Sequence, residues 1–198
     1  MKKLFFIIFI FLIGCAQKSQ YGNYINFAEG SINAGLYNYR VDVNDDKMDD
    51  VKRIRQYNNG SVPMLLVPED FQFYALNLSF VDYKDKKDIL ALIPYRYGDG
   101  WQFITSLELK IDGKKKEFTW KSTDRITDII YGGITQEEAV ILISRGELLE
   151  LIYAKDIIAR LNGKEYYADI PIMAYVQSNW KSFYDKYLVN ADLLGDEY

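Results

Sequence analysis

Oxygen-bearing side chains crowd one short stretch of this chain. Asp42, Asn44, Asp46 and Asp50 stand at relative positions 1, 3, 5 and 9, and the Met48 carbonyl at position 7 would add a fifth donor. Alternate donors in a tight loop can converge on one hard cation, which needs six to eight oxygens at about 2.3–2.6 Å, so the spacing points to calcium. Two residues oppose it. Lys47 takes position 6, where the sharp turn favours glycine, and Arg53 takes position 12, where a bidentate glutamate would stand. A loop lacking both features falls in the weak extracellular class, ~10⁻⁴ to 10⁻³ M. The same run also reads as a solvated acidic turn between two strands, or as the acidic first turn of a helix.

A second chemistry is aromatic. Tyr95, Tyr97 and Trp101 flank the turn Gly98-Asp99-Gly100, and with the pair Tyr166/Tyr167 they could form a platform for a glycan or protein partner. Tyrosines at alternate strand positions also serve as half-buried packing. Acidic residues are numerous enough for a two-carboxylate hydrolase, but no spacing singles out a pair. Tyr131-Gly132-Gly133 lacks the G-x-G-x-x-G of a dinucleotide loop.

Several chemistries are excluded by what the chain does not contain. It has 198 residues and no histidine, which removes histidine-based triads, histidine-ligated zinc and a histidine pH switch. Cys15 is the single cysteine, so an internal disulfide and a thiolate cluster are both impossible. The formal charge is −4 with no basic cluster, a poor match to nucleic acid. Apolar residues at 49% supply a core of ordinary size for one domain.

At the N-terminus, Lys2 and Lys3 precede ten apolar residues, 4–13, and then Gly14-Cys15. Ten residues are too few to span a bilayer, which takes about 20, but they suit the hydrophobic region of a secretory signal. Leu12-Ile13-Gly14-Cys15 resembles the lipobox of bacterial lipoproteins, in which a small residue precedes the cleavage point and the cysteine thiol carries the lipid. The resemblance implies a signal peptide over 1–14, lipidation of Cys15, and anchorage in the bacterial cell envelope. In the enteric family pattern an Asp after the cysteine retains the protein in the inner membrane. Ala16 stands there instead, which favours the outer membrane or the cell surface.

Two further resemblances are shorter. Residues 42–50 are similar to the D-x-[DN]-x-D-G-x-x-D loops of dockerin, thrombospondin type 3 and integrin-like propeller repeats, which implies calcium at Asp42, Asn44, Asp46, Met48 and Asp50. About 45 residues from 144 onward resemble uncharacterised bacterial extracytoplasmic β-rich proteins, which implies a fold and no activity.

The elements that would position these residues are mostly strands. Hairpin-type pairs occur at Asn59-Gly60, Asp99-Gly100, Asp112-Gly113 and Asn162-Gly163. Period-two alternation predicts strands over 72–82, 89–97, 101–111, 115–121, 126–131, 139–143, 156–161 and 164–170. Ser144-Arg145-Gly146-Glu147 fits a capping box opening a helix over about 144–154. Val176, Trp180, Phe183, Tyr184, Tyr187 and Leu188 recur at helical spacing, predicting an amphipathic helix over about 174–189. The fold expected is mainly β (α+β), an antiparallel β-sandwich or curled sheet carrying those two helices.

The organisation expected is a signal peptide over 1–14, a lipidated cysteine and tether over 15–24, one β-rich domain over 25–190, and a tail over 191–198. The function expected is a membrane-anchored lipoprotein presenting a non-enzymatic binding or envelope-structural domain. It would require no cofactor, with calcium the one candidate. Its partners would be the membrane, through the lipid, and a protein or glycan, not nucleic acid. The alternatives are an envelope hydrolase working with carboxylates alone and a calcium-stabilised surface adhesion module.

Overall fold

The structure, a computed structural model, describes residues 17–19, 22–26, 40–58, 72–120, 125–131, 134–164, 166–172 and 174–196. Strands β1 (Gln17–Ser19) and β2 (Gly22–Asn26) pair with each other where the sequence reads as a tether over 15–24, β2 running two residues past it. Next come β3 (Arg40–Asp46), β4 (Val51–Tyr57), β5 (Gln72–Tyr83) and β6 (Ile89–Asp99). They are followed by β7 (Ser106–Ile111), β8 (Lys114–Thr119), β9 (Arg125–Tyr131), β10 (Ile134–Ala139) and the short β11 (Ile141–Leu142). Helix α1 (Arg145–Tyr153) precedes β12 (Ile157–Asn162) and β13 (Tyr167–Pro171); helix α2 (Ala174–Phe183) runs on into a π-helical turn, Tyr184–Leu188.

The large sheet has the order β3-β4-β5-β6-β10-β9, with β11 also paired to β6, and the small one β13-β12-β7-β8. Every pairing within the sheets is antiparallel, and the large sheet curls into a half-barrel. The architecture is therefore the mainly β, curled-sheet fold expected, with two short helices.

Alternation builds the core. Along β5, Tyr74, Leu76, Leu78 and Phe80 share one face, and the register sets Leu78 opposite Leu92 and Phe80 opposite Leu90 on β6. Leu107, Leu109 and Ile111 of β7 face the same interior with Ile157, Ala159 and Leu161 of β12. The helices complete it with Leu148, Leu151 and Ile152 from α1 and Val176, Trp180 and Phe183 from α2. Each such large apolar side chain contributes about 1.5–3 kcal/mol on burial.

Local signals explain the boundaries. Asp112 and Gly113 take φ +47° and +87°, the left-handed pair that a two-residue hairpin demands. The capping box on α1 forms as expected: the Glu147 N–H donates to Ser144 Oγ at 3.2 Å, and the Ser144 N–H donates to Glu147 Oε2 at 2.7 Å.

Several boundaries differ from the sequence reading. The strand expected over 101–111 begins only at Ser106, and Asp99-Gly100 leads from one sheet to the other instead of closing a hairpin. Of the strand expected over 139–143, Ile141–Leu142 forms the short β11, while Ala139 ends a strand that begins earlier, Ile134–Ala139, with a break at Val140 between the two. The stretch expected as a tail is tied down: Leu193 is fully buried and bridges Asp88, whose carboxylate accepts the N–H groups of Tyr83 and Asp192 at 3.0 and 3.1 Å. Asn59-Gly60 lies outside the described residues.

Candidate functional site

Residues 99–105 connect the two sheets, and their path is set by one buried ion pair. Arg96 on β6 and Glu137 on β10 are register partners, and both side chains are 0% exposed. The Arg96 guanidinium donates from Nη1 to the Gly100 carbonyl and Thr135 Oγ1, each at 2.6 Å, and from Nη2 to the Asp99 carbonyl at 2.6 Å. Its Nη1 also lies 3.5 Å from Glu137 Oε1. The carboxylate accepts the Gln102 N–H at 2.7 Å and the Ile104 N–H at 3.1 Å. A buried charge needs this degree of compensation, since desolvation alone costs several kcal/mol per ion.

Those two N–H groups flank Phe103, whose φ is +54°. A left-handed residue between two inward N–H groups makes a concavity for an anion, and the anion here is the chain's own Glu137. For a bulky residue that backbone costs roughly 1–2 kcal/mol, which the carboxylate must offset.

The other margin of this strap is fastened to the small sheet. Gln102 Nε2 donates to the Leu161 carbonyl at 2.9 Å, and the Gln102 carbonyl accepts the Lys164 N–H at 3.1 Å. The Thr105 N–H donates to the Asn162 carbonyl at 2.8 Å, and Trp120 Nε1 donates to the Ile104 carbonyl at 3.2 Å. The contact is so close that a Cβ on Gly163 would overlap the Gln102 carbonyl oxygen and Cγ.

This scaffold holds Trp101 and Phe103 in a stack, with ring centroids 5.8 Å apart and planes 19° from parallel. The Lys164 ammonium stands 5.1 Å from the Phe103 centroid, a cation–π distance. Beneath them Tyr74 faces Arg96 across the β5–β6 ladder. Burial lifts the Tyr74 phenol well above its ordinary value, so it stays protonated and neutral. Such an arrangement can hold an aromatic surface rigid. It is not built for proton transfer, because both Glu137 oxygens are engaged and shielded from solvent.

The residues singled out in sequence are placed as follows. Tyr95 is buried at 8% exposure, edge-to-face with Phe73 at 6.4 Å, and its hydroxyl donates to Gln136 Oε1 at 3.4 Å. It is a packing residue, not part of an exposed platform. Tyr97, two positions on, is half-buried, and Trp101 lies beyond the strand in the strap, where its ring partner is Phe103.

Asp42, Asn44 and Asp46 occupy alternate positions of β3, which at about 3.3 Å per residue spreads them over ~13 Å instead of drawing them together. Met48 and Asp50 lie in the turn that leads to β4, and Arg53 sits opposite Asn44. Asp46 Oδ1 accepts the N–H groups of Met48 and Asp49 at 3.1 and 3.4 Å, and Arg53 Nη1 lies 3.3 Å from Oδ2. The two backbone N–H groups hold the Asp46 carboxyl below its usual range. Asp42 pairs with Arg40 at 3.0 Å and Asp50 with Lys84 at 3.4 Å. The acidic run therefore forms a β-hairpin, β3 and β4 joined by the turn at residues 47–50. Cys15 lies outside the described residues.

Sequence reasoning missed Arg96, Gln102, Phe103 and Glu137. A signal was present: Glu137 and Glu138 are adjacent, so a strand must point them to opposite faces, and each needs its own cation. Arg96 meets Glu137 on one face; Arg55 meets Glu138 on the other.

No protein-family model, curated protein or solved structure matches this chain.

Proposed function

We propose that this chain is a lipid-anchored protein of the bacterial cell envelope whose β-rich body is a rigid binding or scaffolding module without catalytic activity. The observation that carries the anchor is Leu12-Ile13-Gly14-Cys15 behind an apolar run and two lysines. At about 0.8 kcal/mol per buried methylene, more than one acyl chain on Cys15 would hold the protein stably at a membrane.

The non-catalytic reading is supported by how the buried carboxylates are used. Glu137 accepts two strap N–H groups, Glu138 pairs with Arg55, and Asp88 accepts two N–H groups from the turn and the C-terminal stretch. Each is committed to holding the fold. The binding surface on this reading is the strap, with Trp101, Phe103 and Lys164 presented on a backbone that has little freedom to rearrange.

Metabolic labelling with a palmitate analogue tests the anchor. Label on the wild type and none on Cys15→Ser, together with release of the variant from the membrane fraction, supports the assignment; an unlabelled wild type overturns it. Protease treatment of intact cells then separates a surface-facing from a periplasm-facing body.

A further inference from the structure

Two asparagines of this chain precede glycine, Asn59 and Asn162. In such a pair the glycine backbone nitrogen can attack the side-chain amide carbon, because no Cβ on the following residue obstructs the approach. Asn162-Gly163 stands at the turn between β12 and β13, where the groups that this attack uses are all engaged. Asn162 Nδ2 donates to Ser106 Oγ at 3.0 Å and to Glu108 Oε1 at 3.3 Å. The Gly163 N–H donates to the Tyr166 carbonyl at 2.9 Å, and the Asn162 carbonyl accepts the Thr105 N–H at 2.8 Å. Gln102 packs on Gly163 with no room for a methyl group, and its carbonyl accepts the next N–H, that of Lys164. Three elements therefore pin the pair. β7 holds the leaving group, the far side of the turn holds the nucleophile, and the strap holds the backbone around both.

We propose that Asn162-Gly163 is a modification site gated by the strap, inert while the strap is fastened and deamidated when the strap lifts from the turn. The Gly163 nitrogen gives its proton to hydroxide and bonds to Asn162 Cγ. The Cγ–Nδ2 bond breaks, Nδ2 takes a proton from water, and ammonia leaves. Water then opens the five-membered imide at one carbonyl or the other, giving aspartate or isoaspartate. No oxidant or reductant is involved, and one water is consumed overall. Either product alters the turn. Aspartate turns a donor to Glu108 into a second carboxylate beside it, and the Lys115 ammonium, 2.8 Å from Glu108, holds that carboxyl below its usual range. Like charges then meet across the ladder. Isoaspartate lengthens the backbone beside Gln102, where no space is left. The modified turn no longer seats the strap, and the change is irreversible. This gate depends neither on lipid at Cys15 nor on what the strap binds.

The test follows the full chain in detergent at mildly alkaline pH by peptide mass. Tryptic cleavage after Arg160 and Lys164 isolates residues 161–164, so Asn162 is read apart from Asn59. Folded wild type is expected to deamidate at 162 about tenfold or more slowly than the chain in denaturing urea. Asn162→Gln, which would need a six-membered ring, is expected to stay unmodified. Urea below the unfolding transition separates the gate from global unfolding. Local opening exposes little surface, so the folded rate stays nearly flat, whereas reaction through the unfolded chain climbs steeply with denaturant. Gln102→Ala is expected to raise the folded rate about fivefold, the worth of one hydrogen bond. Hydrogen exchange at the Lys164 and Thr105 amides, which join turn and strap, should quicken in the modified fraction of the wild type, a readout that needs no variant. Equal folded and unfolded rates overturn the proposal, as does a folded rate that climbs with urea or one that Gln102→Ala leaves unchanged. Unaltered exchange in the modified fraction overturns the release of the strap.

Discussion

Arg96 and Glu137 face each other across the β6–β10 ladder, closed off from water, and between them they hold five groups of the chain in place. The guanidinium takes the carbonyls of Asp99 and Gly100 and the hydroxyl of Thr135, and the carboxylate takes the N–H groups of Gln102 and Ile104. Every part of that set depends on the charge of both members.

Removing one member should therefore cost far more than removing both. Glu137→Ala strands the guanidinium and is expected to destabilise by about 3–5 kcal/mol in urea unfolding. The double variant Arg96→Met/Glu137→Leu should lose distinctly less than the sum of its singles. A strictly additive double-mutant cycle would show that the two residues act independently.

Glycine is needed at two turns for different reasons, and substitution should separate them. Gly163→Ala drives a methyl group into Gln102 and should cost about 1–3 kcal/mol while loosening the strap. Gly113→Ala meets nothing within 4 Å but sits at φ +87°, so only roughly 1–2 kcal/mol of backbone strain is expected. Hydrogen exchange at the Lys164 and Thr105 amides should quicken in the first variant alone.

Arg145 is a cap for the far end of the second helical element. Its guanidinium donates to the carbonyls of Leu188, Val189 and Ala191 at 2.6, 3.1 and 2.6 Å, and its Nε donates to Asp196 at 2.9 Å. A lysine cannot reproduce that fork. Arg145→Lys is expected to lower stability by about 1.5–3 kcal/mol and to expose residues 184–196 to limited proteolysis before the sheets.

Acid should weaken the start of α1. Burial pushes the Glu147 carboxyl up, but the Lys116 ammonium and the Ser144 N–H outweigh it, so the group sits below its usual 4.5 in the folded protein. A carboxyl lowered on folding adds stability that is present above 4.5 and is lost as pH falls through the folded value. Urea midpoints should therefore drop below pH 4.5, and Glu147→Gln should flatten that part of the curve. An unchanged slope would mean other carboxylates govern the acid limb.

Much of the framework was legible in the chain because it obeys local rules. The Asp112-Gly113 hairpin, the capping box at Ser144 and the apolar alternation of β5 and β7 each follow from a few neighbouring residues. The strap did not follow, since the alternation of Trp101, Phe103 and Thr105 continues that of Leu107 and Leu109. Only a carboxylate more than thirty positions later removes those N–H groups from a ladder. β10 escaped for the complementary reason. Ile-Thr-Gln-Glu-Glu-Ala looks like surface until two arginines from distant strands are supplied. The acidic run at 42–50 shows the converse: spacing alone suits an ion, whereas pairing of β3 with β4 spreads the same side chains along a strand.

The bond between Asp88 and Asp192 joins positions 104 apart. The turn that joins β5 to β6 is therefore completed by residues near the far end of the chain, a closure over a long stretch whose entropic cost must be met before the contact can form.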